Sequence, residues 1–246
     1  MKIIWHNQRI SDSFRKLERM TVSNCDNLTN IVPPNMLKRL QNLQHLEIRA
    51  CGSVEEVFEI QGTNVKEAGD MAAIELRELW LENLPKLKHV WTMDPQEIFS
   101  FEKLQSITIW GCDSLKSVFP TSVAKALVQL KELYITECAV EEIVAKEEGI
   151  ETVTFFLFPQ LTSLGILNLP ELKSFYPGKH TSEWPSLKYL AIYNCDKLKV
   201  FGSNELSVQE TSGLGHQIIP TQQPLFFIKK VRVFTTALVC MYLMRV

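Results

Sequence analysis

The sequence predicts a solenoid of stacked similar units, each contributing one short parallel strand, and three observations carry that prediction. Apolar residues recur in one nine-residue frame, leucine-x-x-leucine-x-leucine-x-x-cysteine, at seven places along the 246 residues. Inside each frame the central apolar positions alternate with polar or aromatic ones, which is the period of a strand with one buried face. The frames begin 26 to 33 residues apart, about the length of one supersecondary unit and too short for a domain.

In chain order the frames are Leu17, Met20, Val22, Cys25; Leu43, Leu46, Ile48, Cys51; and Leu76, Leu79, Leu81, Leu84. They continue with Leu104, Ile107, Ile109, Cys112; Leu130, Leu133, Ile135, Cys138; Leu161, Leu164, Ile166, Leu169; and Leu187, Leu190, Ile192, Cys195. Frames of this kind and spacing define leucine-rich repeats. The fold class is therefore an α/β leucine-rich-repeat solenoid, an arc with a parallel sheet on its concave side and short helices and irregular connectors on its convex side. One strand cannot hide its own apolar face, so each unit needs its neighbours. After each frame come two more apolar positions, such as Leu28 and Ile31, Val54 and Val57, or Leu115 and Val118, expected to fill the convex side. Asn35 to Leu40 and Ser122 to Leu127, following Pro33-Pro34 and Pro120, read as short helices with capping-type residues at their starts. Most other connectors read as irregular or 3₁₀.

A longer rhythm overlies the repeats. Units one and four, two and five, three and six, and four and seven resemble each other at offsets of 87, 87, 85 and 83 residues. Cys25-Asp26-Asn27-Leu28 answers Cys112-Asp113-Ser114-Leu115, and Asn83-Leu84-Pro85 answers Asn168-Leu169-Pro170. Met1-Lys2-Ile3-Ile4-Trp5 matches Leu87-Lys88-His89-Val90-Trp91, so residues 1–13 read as the remnant of a preceding repeat, with further repeats expected upstream. The solenoid proper spans 14–201. Residues 202–224, rich in Ser, Gly, Gln and Pro, read as a mobile polar linker, and 225–246 as an irregular tail with an incomplete repeat.

Several function classes are disfavoured by composition and spacing. The formal net charge of -2 offers no basic footprint for nucleic acid. The N-terminus lacks the apolar stretch of a secretory signal, so a cytoplasmic location is expected. Val233 to Met244 is uncharged but only 12 residues long, against about 20 needed to cross a bilayer. Five of the six cysteines occupy one frame position, where each reads as a small buried group rather than a metal ligand. His6, His45, His89, His180 and His216 are scattered and read as surface residues, and the pairs Glu55-Glu56, Glu141-Glu142 and Glu147-Glu148 as solvated rims. No phosphate-binding glycine motif occurs. Neither a catalytic constellation nor a cofactor or metal site is expected, and an enzyme is the least favoured class.

What remains is the open face of the sheet. The outward strand positions include His45, Glu47, Arg49, Glu78, Trp80, Glu82, Thr108, Trp110, Glu132, Tyr134, Tyr189 and Tyr193. Trp, Tyr and Arg dominate protein-binding hot spots, so a row of them on a rigid sheet reads as a protein-contact surface.

Phe101, Lys103, Leu104, Ile107, Ile109, Cys112, Leu115 and Val118 together resemble the C-terminal repeats of plant intracellular disease-resistance proteins of the coiled-coil, nucleotide-binding type. Asn168-Leu169-Pro170-Glu171-Leu172-Lys173, Trp184-Pro185-Ser186-Leu187 and Gln222-Gln223-Pro224-Leu225-Phe226-Phe227 are similar to stretches of the same proteins. The resemblance runs from about Met1 to Phe227 and is lost from Lys229 onward. It implies a region that senses a pathogen effector or a guarded host protein and restrains the receptor's own nucleotide-binding domain. The phosphate loop of that domain is absent from these 246 residues. A cytosolic leucine-rich-repeat scaffold or ubiquitin-ligase substrate adaptor is the alternative role for the same fold. Secreted receptor-kinase repeats are disfavoured by the missing signal and glycine-isoleucine-proline frame.

Overall fold

The computed structural model describes residues 4–5, 14–60, 72–93, 95, 99–146, 153–198 and 232–234. Seven strands fall on the seven frames: Arg19–Ser23, His45–Arg49, Glu78–Glu82, Ser106–Trp110, Glu132–Thr136, Ser163–Leu167 and Tyr189–Tyr193. They form one sheet in sequence order, every neighbour parallel, which is the topology of a leucine-rich-repeat solenoid. Register is strict: Leu46 pairs with Leu79, Leu79 with Ile107, Ile107 with Leu133, and Leu133 with Leu164. An eighth strand, Arg232–Phe234, joins the end of the sheet with Tyr189 opposite Arg232.

Alternation explains which face is buried. Leu46, Ile48, Leu79, Leu81, Ile107, Ile109 and Ile135 are all but inaccessible, and Leu43, Leu76, Leu104 and Leu130 stack beneath them. Each fully buried aliphatic side chain contributes about 1.5–3 kcal/mol, so this column is the main source of cohesion between units. Burial weakens at the ends of the described stack. Leu17, Met20 and Cys25 in the first unit, and Ile192, Cys195 and Leu198 in the seventh, are only partly covered. A unit with one covering neighbour buries less than a unit with two.

The connectors are more regular than the frame predicts. Asn30–Val32, Glu56–Phe58 and His89–Trp91 form a three-stranded parallel outer sheet. Ser117–Phe119 pairs with Glu142–Val144, Ala72–Ala73 with Phe99–Ser100, and Thr154–Leu157 with His180–Glu183. Strict stacking places equivalent backbone in adjacent units about 4.8 Å apart, so even short extended stretches find a ladder partner. Between frame and outer strand the chain turns tightly, with Leu28, Val54, Leu87 and Leu115 donating to the carbonyls of Cys25, Cys51, Leu84 and Cys112. Pro85 and Pro170 occupy the second residue of two such turns, where a fixed φ is favourable.

The helices are Pro34–Leu37 and Thr121–Ala126. Both begin on a proline, Pro33 and Pro120, in extended conformation and with no side-chain cap, so the expected capping-type residues are corrected to proline starts. The convex side holds two aromatic clusters. Phe58, Trp91, Phe101 and Phe119 lie 5.2–5.8 Å apart between ring centroids. Phe156, Phe175 and Tyr176 surround His180, and Phe158 and Trp184 join the cluster through Phe175. His180 is thus buried, not a surface residue. The Trp5–Phe14 pair, 5.2 Å apart at 82°, repeats the Trp91–Phe101 pair, 5.4 Å apart at 81°. The polar segment 202–224 lies outside the described residues, as does all of 225–246 except Arg232–Phe234.

Candidate functional site

The twelve outward residues all stand at strand positions facing away from the buried column. Alternation puts them there, and parallel register aligns them into three columns. His45 faces Glu78; Glu47, Trp80, Thr108 and Tyr134 form the middle column; Arg49, Glu82 and Trp110 form the third. Tyr189 and Tyr193 are exposed, while Trp80, Trp110 and Tyr134 are half-buried. Ser163, Gly165 and Leu167 share the outward positions of unit six yet are buried. They are flanked in register by Tyr134 on one side and by Tyr189 and Tyr193 on the other. A small residue beside a large ring lies below the level that solvent reaches.

Two tryptophans are tied to carboxylates. Trp80 Nε1 donates to Glu82 Oε2 at 2.9 Å. Arg49 places its guanidinium carbon 5.1 Å from the centre of the Trp80 ring, lies 3.3 Å from Glu82 and also pairs with Glu47. A cation over an indole face is held by the ring quadrupole. The second couple is Trp110 Nε1 donating to Glu137 Oε2 at 2.8 Å. Beside these, His45 Nδ1 lies 2.8 Å from Glu78 Oε2 across one strand step.

Glu137 was not among the expected site residues. It follows the strand Glu132–Thr136 directly, with φ +54°. Every unit has a residue in this left-handed region at the same point: Asn24, Ala50, Asn83, Gly111, Glu137, Asn168 and Asn194. Period-two reading stops at the end of the strand, so it cannot anticipate that a reversed φ turns the next side chain toward the tryptophan. The recurrence of Asn and Gly eight residues into the frame was the available signal.

The five cysteines of the frames are structural. Cys51, Cys112 and Cys138 are buried, and Cys25 and Cys195 half-buried. Each thiol points at the carbonyl two residues before it: Ser23 for Cys25, Arg49 for Cys51, Trp110 for Cys112, Thr136 for Cys138 and Tyr193 for Cys195. Burial pushes the Cys51 and Cys195 thiols up from their ordinary pKa, and hydrogen bonding to Cys138 together with burial pushes Cys112 up further. Cys138, hydrogen-bonded to Cys112, is shifted down instead. Inward thiols held against backbone carbonyls are poorly placed as nucleophiles or metal ligands.

On the outer rim, Glu55 meets Lys88 at 2.7 Å, Glu141 meets both Lys173 and Lys116, and Glu171 meets Lys197 at 2.7 Å. The lysines hold these carboxylates below their usual pKa. Glu142 differs, since burial raises it. Glu147 and Glu148 lie outside the described residues.

No described helix is long and apolar enough to cross a membrane. No curated protein and no solved structure matches the chain. The family model for plant disease resistance protein RPS2-like leucine-rich repeats matches residues 1–139, covering more than half of the 246. Leucine-rich-repeat regions of resistance proteins are non-catalytic, and such domains generally mediate protein–protein interaction. On the match and on the repeat solenoid it describes, this chain belongs to the leucine-rich repeats of the RPS2-like plant disease resistance proteins.

Proposed function

We propose that the chain is the protein-recognition module of a plant intracellular immune receptor acting in the cytoplasm. The open face of its inner sheet contacts a pathogen effector, a guarded host protein or the receptor's own nucleotide-binding domain, and restrains that domain until triggered. The observation that supports this reading is the alignment of Trp80, Trp110, Tyr134, Tyr189 and Tyr193 with charged neighbours on one sheet of fixed register. Strand-borne side chains lose little freedom on binding, and large aromatic rings give the most contact energy per residue.

The test is co-purification of the chain, expressed in plant cells, with the nucleotide-binding domain of a resistance protein of the same family. Combined alanine substitution at Trp80, Trp110 and Tyr134 is expected to abolish capture while leaving the circular dichroism spectrum unchanged. Capture equal to that of the unsubstituted chain, with the fold intact, overturns the reading.

A further inference from the structure

The two tryptophan–carboxylate couples of the open face are alike in chemistry but differ in occupancy. At Trp80 the carboxylate of Glu82 accepts from the indole nitrogen, and the guanidinium of Arg49 lies over the ring and against the same carboxylate. At Trp110 the carboxylate of Glu137 accepts from the indole nitrogen in the same way. Among the described residues no cation lies over the Trp110 ring or pairs with Glu137. Nor can the neighbouring strands supply one, because no outward strand position in units four to seven carries Lys or Arg. Arg49 is two strand steps away and is held by Glu47, Glu82 and Trp80.

The position of Glu137 points the same way. Four of the seven left-handed positions carry Asn and one carries Gly, the residues that adopt this conformation at least cost. Glu137 has no such preference, and the strain it accepts places a carboxylate on the indole of the preceding unit. The charge beside the couple is complementary to a cation, since Glu82 stands in register next to Trp110.

We propose that Trp110 and Glu137 form a receptor for an arginine side chain presented by a protein partner, filling the place that Arg49 fills at Trp80. The inference rests on the reading of this face as a protein-contact surface. Arginine is favoured over lysine because a planar guanidinium can stack on the indole and reach the carboxylate at once.

The test follows the indole N–H resonance of Trp110 in the full 246-residue chain labelled with nitrogen-15, assigned through Trp110→Phe. The probe is a glycine-flanked arginine peptide, compared with its neutral citrulline twin. The arginine peptide is expected to shift the Trp110 resonance saturably, and the citrulline peptide to leave it in place. Glu137→Asn, which installs the residue used at the equivalent point of four other units, is expected to keep the fold and weaken the peptide by about fivefold or more. Glu55→Gln, on the outer rim, is expected to bind as the unsubstituted chain does. An unmoved Trp110 resonance, equal binding of the citrulline peptide, or undiminished binding by Glu137→Asn overturns the proposal. If partner capture is lost on alanine substitution of the face while the arginine peptide leaves Trp110 unmoved, the arginine assignment alone falls.

Discussion

Asn194 donates through Nδ2 to Asn168 Oδ1 at 3.2 Å, joining the left-handed residues of units seven and six. The same residues continue the backbone ladder, with the N–H of Asn24, Ala50, Asn83, Gly111, Glu137 and Asn168 donating to the last strand carbonyl of the following unit. A conformation costly for most L-residues is thus built into every turn of the stack. Asn and Gly lower that cost; Ala50 does not. Ala50→Asn is therefore expected to stabilise the chain by about 1 kcal/mol, read as a higher urea midpoint with an unchanged slope. An unchanged or lower midpoint would show that the left-handed geometry at this point costs nothing.

Gly111 sits in the same column under a second constraint. Its φ is +66°, and a β-carbon there would lie 2.6 Å from Asn83 Oδ1. Gly111→Ala is expected to lower stability by about 1–2 kcal/mol. Adding Asn83→Gly removes the close oxygen and itself tolerates the left-handed φ at residue 83, but leaves the backbone strain at residue 111, so the double variant is expected to recover only part of the loss. Full recovery would assign the whole effect to the clash.

The strands were legible because seven frames repeat one alternation, and each misplaced leucine would have exposed an entire face. The outward columns followed from the same arithmetic, which is why Trp80, Trp110 and Tyr134 stand where the frame puts them. Three features were not legible. Outer strands of two to four residues are too short to show a period, and they exist because stacking supplies partners. Thr154–Leu157 even inverts the usual polarity, burying Thr154 while exposing Phe155 and Leu157. Glu137 and Ala50 occupy a position defined by φ, and nothing in their side chains announces it. His180 has no apolar signature of its own, and its burial follows from the rings that surround it.

Trp91 is fully packed between Phe58, Phe101 and Phe119, yet among the described residues no acceptor meets its Nε1. An unpaired buried donor costs about 1–3 kcal/mol. Trp91→Phe removes that donor while leaving a smaller ring in the same cluster. Its penalty is expected to be at least about 1 kcal/mol smaller than that of Trp91→Ala, for which loss of the ring should cost about 3–5 kcal/mol. Equal losses for the two variants would mean that the phenylalanine ring restores none of the packing of the cluster.

Lys173, Glu141 and Lys116 link three units along the outer rim, but both lysines are exposed and Glu141 is half-exposed. Solvent screens such pairs. Lys173→Met is expected to leave the urea midpoint unchanged. Leu172→Ala, one residue earlier and fully buried, is expected to cost about 2–5 kcal/mol. A rim substitution as damaging as the core one would make the ion pairs a principal source of cohesion.

His180 makes stability depend on pH in a direction that its surroundings fix. Its Nδ1 meets the Gly178 carbonyl at 3.0 Å, and Nε2 is buried without a partner among the described residues. Burial among Phe156, Phe175 and Tyr176 holds its pKa below the ordinary histidine value, so the folded chain keeps it neutral. Protonation would put a charged, unpaired N–H among rings. In the unfolded chain the same histidine titrates near 6.5, so below about that pH the unfolded state binds the additional proton and the folded state does not. Stability from this residue is therefore present above pH 6.5 and declines as pH falls. His180→Phe replaces the ring without a titrating group. Compared at pH 7.5 and at about pH 5, the variant is expected to lose less stability on acidification than the unsubstituted chain. Identical losses would show that His180 is free to take up its proton in the fold.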